Sequence, residues 1–129
     1  NPLYWIGLAD VEAYLGNTAS ADEAFQKSIE LESFFAPAWV KWAPLHYDLE
    51  DFEKSADIML SAIDELPEEA DFYYRSAIFL IKAGQFKEAF HFLESGLILD
   101  YDQHVIMFEY FPNLETQKAI FKLIQQYKK

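Results

Sequence analysis

The sequence repeats itself every 34 residues. At that spacing Trp5, Trp39, Tyr73 and Met107 fall in register, as do Ala9, Ala43 and Ala77. So do Ala21, Ser55 and Ala89; Phe25, Met59 and Leu93; Ser28, Ala62 and Gly96; and Ile29, Ile63 and Leu97. Large positions stay large and small positions stay small through three periods without a gap. Such a chain is a stack of similar units, each of which needs a neighbour to cover its apolar face.

Each period reads as two helices. Phe72 to Ala83 carries apolar residues at 72, 73, 77, 80 and 81, the stripe of a 3.6-residue turn. Gly84 should end it, because a helix C-terminus favours a residue that tolerates left-handed dihedrals. Phe86 to Leu99 follows, with Phe86, Ala89, Phe90, Leu93 and Leu97 on one face. In the first period Gly16 is the stop, Ser20 starts the next helix, and Glu23 completes a capping box. In the second, Glu50 stands at the stop and Asp51 is the N-cap candidate. Ala9, Ala43 and Ala77 let paired helices approach closely, while the bulky residue four before each fills the flanking groove. The expectation is an all-α fold without strands, with residues 5, 39 and 73 in equivalent buried places.

The strings Trp39…Trp42-Ala43…Ser55…Met59…Ala62…Pro67 and Tyr73…Ala77…Gly84…Ala89…Leu93…Gly96 resemble the tetratricopeptide repeat family. The repeats are 2–35, 36–69 and 70–103, about four-fifths of the chain. The sequence departs from the family pattern at Glu12, at Glu50 in place of the turn glycine, and at Ser33 and Tyr101 in place of the terminal proline. The resemblance implies an α–α superhelix of antiparallel helix pairs. The first helix of each pair lines a concave groove that holds a peptide or partner protein, with no catalysis and no cofactor. It places Ile6, Asp10, Tyr14, Val40, Lys41, Tyr47, Tyr74, Arg75, Ile78 and Lys82 on that groove. Lys41 and Arg75, one period apart, either form a basic spot near Tyr47 and Tyr74 or pair with Asp48 and Asp71. One subgroup of the family clamps chaperone C-terminal carboxylates with five basic or amide residues. The corresponding places here hold Ile6, Asp10, Lys41, Asp71 and Arg75, and only Arg75 fits, so that ligand is rejected.

Residues 104–129 depart from the period. His104 to Phe111 reads as a short helix stopped at Pro112, and Asn113 as the N-cap of a helix from Leu114 to Tyr127. Its polar face of Lys118, Lys122, Gln125 and Gln126 suits a shortened fourth repeat that caps the array. Pro44 lies two periods before Pro112 and should kink its helix, since it removes the bond to the Val40 carbonyl.

Composition narrows the function. The 129 residues carry 22 acidic and 10 basic side chains, a net charge of −12, which disfavours nucleic-acid binding. Apolar residues make up 52%, too many for a disordered acidic tail. With no cysteine, thiolate metal sites and cysteine nucleophiles are excluded. The longest apolar run, 77–81, is far shorter than the ~20 residues of a membrane span, so no membrane partner is expected. His46, His91 and His104 lack metal-ligand spacing. His91 and Glu94 could share a metal but want further ligands. Asp48, Glu50, Asp51, Glu53 and Asp57 surround a helix start, where negative charge matches the dipole. No nucleophile–base–orienter set can be written. The charge of the four successive segments runs −5, −7, −2 and +2, a field able to steer a basic partner to the first two repeats. The compartment is not encoded, and a soluble cytoplasmic setting is the default.

Two rival readings stand beside the binding module: a structural part of a longer, self-associating solenoid, and an accessory domain of an enzyme. The first repeat bears on the former. Tyr4, Ala38 and Phe72 share a position, as do Val11, Leu45 and Phe79, on the face expected to pack on the preceding repeat. Tyr4 and Val11 keep it apolar in repeat one, so upstream repeats or another copy of the chain should cover it. Asn1-Pro2 suits a helix start at a repeat boundary.

Overall fold

The computed structural model describes residues 1–113 and 117–128. Helices α1 (Pro2–Tyr14) and α2 (Thr18–Leu31) form the first pair, α3 (Ala36–Asp48) and α4 (Phe52–Glu65) the second, α5 (Ala70–Lys82) and α6 (Phe86–Leu99) the third. A 3-10 segment, Tyr101–Ile106, then leads into α7 (Met107–Tyr110) and α8 (Lys118–Gln126). No strand occurs among the described residues, as the periodicity requires. From α1 to α6 each helix packs on the next, and α8 packs on α6.

The small positions explain the packing. Ala9, Ala43 and Ala77 are wholly buried where each pair closes. Ser28, Ala62 and Gly96 share a second small position, and Ile6, Val40 and Tyr74 share a larger one in the same register. Gly96 accommodates the largest of the three. A Cβ built there would lie 3.2 Å from the Tyr74 ring. Tyr74 is fully buried and its hydroxyl donates to the Asp100 carbonyl at 2.8 Å. Burial, and then the neighbouring Asp100 charge, push its pKa well above the ordinary tyrosine value.

The aromatic position is polar-tipped for a reason visible in two repeats. Trp39 Nε1 donates to the Ser33 carbonyl and Tyr73 Oη to the Pro67 carbonyl, in each case six residues upstream. These bonds satisfy the loop that joins one pair to the next. Trp39 is buried as expected, whereas Trp5 and Tyr73 are half-buried.

The turns inside the three pairs are alike. Gly16 and Gly84 have φ of 81°, and Glu50 adopts 62° at the same place. In each, the next residue's N–H returns to a carbonyl five residues back: Asn17 to Glu12, Asp51 to His46, Gln85 to Leu80. A side chain in the left-handed region is strained. Glu50→Gly is therefore expected to raise stability by about 1 kcal/mol, read as an upward shift of roughly 3 °C in thermal unfolding.

Some boundaries differ from the sequence reading. α2 starts at Thr18, not Ser20, and no side-chain capping bond forms at Asn17. The Asn17 amide instead donates to Glu12. Asp51 and Asn1 do cap, accepting from the N–H of Lys54 and Leu3. α3 runs through Pro44 without interruption. The helix expected over His104–Phe111 is divided, because Asp100 accepts from Asp102 N–H and the Gln103 amide and holds the following residues in 3-10 form. α7 does end before Pro112. The expected helix start at Leu114 lies outside the described residues, and the described part of that helix begins at Lys118.

Candidate functional site

Two cavities adjoin at α3. One, of about 410 Å³, is lined by Ala36, Pro37, Val40 and Lys41 of α3, by Glu69, Asp71 and Phe72 at the start of α5, and by Gln103. The other, of about 310 Å³, lies between α1, α2 and α3, with Asp10, Ala13, Thr18, Phe25, Pro44, Leu45 and Asp48 among its walls. Lys41 belongs to both. The floors are apolar and the rims acidic.

Of the groove residues expected from the sequence, Asp10, Val40 and Lys41 line these cavities. Lys41 bonds to Asp10 across the helices at 3.1 Å, not to Asp48. Both side chains are half exposed, so this pair contributes little to stability. Tyr14 is exposed on α1, outside both cavities.

The other expected residues are otherwise engaged. Ile6, Tyr74 and Ile78 are core residues, with Tyr74 and Ile78 fully buried, and do not reach a ligand. Arg75 is no free cation. Its Nε bonds Asp71 at 2.7 Å within one helical turn, and its Nη1 donates to Tyr110 Oη at 3.2 Å. Tyr110, brought in by α7, stacks edge-on against Tyr47 and Phe79, with ring centroids 5.0 and 5.7 Å away. It therefore covers the Tyr47 side of the groove, and burial raises its pKa against the opposing effect of Arg75. Lys82 sits over the Phe111 ring at 5.0 Å. Of the two arrangements open to Lys41 and Arg75, pairing with carboxylates is the one found, Arg75 with Asp71 as named and Lys41 with Asp10 in place of Asp48. Glu69 and Gln103 were not anticipated. Gln103 comes from the 3-10 segment, whose path follows from the Asp100 bonds and not from periodicity.

A second polar constellation joins the first two pairs. Asp22 Oδ1 on α2 accepts from Trp42 Nε1 at 2.7 Å and lies 2.7 Å from His46 Nε2. Trp42 and His46 are buried on α3, and Trp42 stacks on Phe25. His46 is thus a structural histidine. Among the described residues no three His, Asp or Glu side chains gather as a metal site, and no helix is long and apolar enough to cross a membrane.

No family model matches the sequence, and no curated protein matches it. Solved structures do match. A crystal structure of MamA superposes with a TM-score of 0.65 at 17% identity, covering 98% of this chain and 78% of that one. Against another MamA structure the TM-score is 0.66 at 17% identity, and the chain spans only 55% of that protein's length. The second TPR domain of human RPAP3, solved with the HSP70 peptide SGPTIEEVD, superposes with a TM-score of 0.63 at 16% identity, covering 100% of this chain and 99% of that domain. With the shared 34-residue register and the paired helices, these matches establish that the chain folds as a tetratricopeptide repeat array.

Proposed function

We propose that this chain is a non-enzymatic interaction module that holds a segment of a partner protein across α3, in the two cavities that meet at Lys41. The observation that carries the reading is their chemistry: apolar floors under Asp10, Asp48, Glu69 and Asp71, with Lys41 the one cation in the linings. Among the described residues Asp48 and Glu69 enter no ion pair. An apolar segment bearing Lys or Arg fits this surface, its cations taking up carboxylates that face water. The net charge of −12 steers such a partner inward. The RPAP3 domain, solved with an acidic peptide, supports the use of the fold for peptide binding but not that ligand here. The test is selection from a random peptide library followed by calorimetry. Enriched peptides should combine apolar with basic residues, and Asp48→Lys with Glu69→Lys should weaken them about tenfold or more at physiological salt. Enrichment of acidic peptides, or indifference to both substitutions, would remove the cavities from the binding surface.

A further inference from the structure

The carboxylates of the cleft are not equally available. Asp10 is held by Lys41 and Asp71 by Arg75. Asp48 and Glu69 are exposed and, among the described residues, outside any ion pair. They stand at opposite ends of the joined cavities. Glu69 lines one cavity together with Ala36 and Pro37, where α3 begins, and Asp48 is the last residue of α3. Pro37, Lys41, Pro44 and Asp48 follow one another at steps of four, three and four, so they share one side of that helix.

What lies between the two free carboxylates is apolar or already paired. Val40 and Phe72 line the first cavity, and Phe25, Pro44 and Leu45 the second. Lys41 lines both, with its Nζ drawn to Asp10 at 3.1 Å. A cation in the middle of a ligand meets that ammonium group, whereas a cation at either end meets a free carboxylate.

These places set a length. Pro37 and Asp48 are eleven residues apart in one helix, which is about 17 Å. Glu69 precedes the neighbouring helix, about 8–10 Å to the side, so the two carboxylates are about 20 Å apart. An extended chain spans that distance in about six residues, and an α-helix in about thirteen. The extended form suits the surface better. Its side chains alternate, so residues two, four and six apart all face α3. A helix is a rod about 10 Å across, which rests on α3 at one contact and does not lower side chains into cavities on both flanks.

Taking the cleft as the binding surface proposed above, we infer that its occupant is an extended segment with two basic residues about six apart and apolar residues between them, in the order Arg-Xaa-Leu-Xaa-Leu-Xaa-Arg. One cation pairs with Glu69 and the other with Asp48. One apolar side chain enters at Val40 and Phe72, the other at Pro44 and Leu45. The even step keeps both cations on the side of the strand that faces the protein.

The experiment is fluorescence anisotropy of labelled, capped Arg-Ser-Leu-Ser-Leu-Ser-Arg with the whole chain at physiological salt. Beside it stand peptides with the two Arg five and seven apart, and a helix-forming peptide with them thirteen apart. The first should bind about fivefold or more tightly than the others, the value of one surface ion pair. Asp48→Asn and Glu69→Gln should each weaken it by a similar factor. In double-mutant cycles with Arg→Gln on the peptide, Asp48 should couple to one Arg and Glu69 to the other. Equal affinity at every spacing, a preference for thirteen, or coupling of both carboxylates to the same Arg overturns the inference and leaves the cleft a surface for other basic segments. If no peptide of the series binds, the inference falls, and the proposed function falls with it only where the random library also yields no apolar and basic sequence.

Discussion

Asp22→Ala is expected to lower stability by about 3 kcal/mol, a fall of roughly 10 °C in thermal unfolding. One carboxylate oxygen serves both the Trp42 indole and the His46 ring across the joint between the first two helix pairs. Its removal strands two buried polar groups, His46 being only 6% exposed. Leaving a buried donor unpaired costs far more than the net value of the bond it made. Asp22→Asn keeps an acceptor for Trp42 and should cost less than half as much. A loss below about 1 kcal/mol for the alanine variant would mean that apolar contacts alone hold the joint.

The second large effect concerns size matching. Gly96→Val should cost about 2 kcal/mol by driving its side chain into the Tyr74 ring, which is anchored by its bond to Asp100. At the same two register positions the second repeat carries Ala62 and Val40. Tyr74→Val in the Gly96→Val background should therefore cost less than Tyr74→Val alone. A double-mutant cycle by chemical denaturation reads the coupling, expected at about 1 kcal/mol or more. Strict additivity would refute the matching.

The array was legible because volume in phase at fixed spacing depends only on neighbours packing alike, and Ala9, Ala43 and Ala77 met that condition. Glu50 was legible as a turn because Gly16 and Gly84 mark the same position. The cleft was only partly legible. Family positions treat every first helix as equally open, so Tyr74 and Arg75 read as ligand-facing. What closes over them, the segment from Asp100 to Phe111, keeps the register at Met107 but not a full first helix, and no spacing announces that Tyr110 reaches back to Tyr47. Lys41 and Arg75 looked equivalent by register. They differ because Arg75 has Asp71 one turn away, whereas Pro37 occupies that place for Lys41.

On the proposed reading, the aromatic plug at Tyr110 would also set the route of a bound segment. It rests on the C-terminal halves of α3 and α5, while the cavity between those helices is walled by their beginnings. The other cavity lies along the later part of α3, on the α1 side. A ligand filling both must cross α3 obliquely at Lys41, and a path straight along the α3–α5 seam is closed. The cleft is thus a short diagonal ruler with a stop on one side. In the proposed binding mode, the spacing between a ligand's apolar anchors and its cations would be measured against α3 itself.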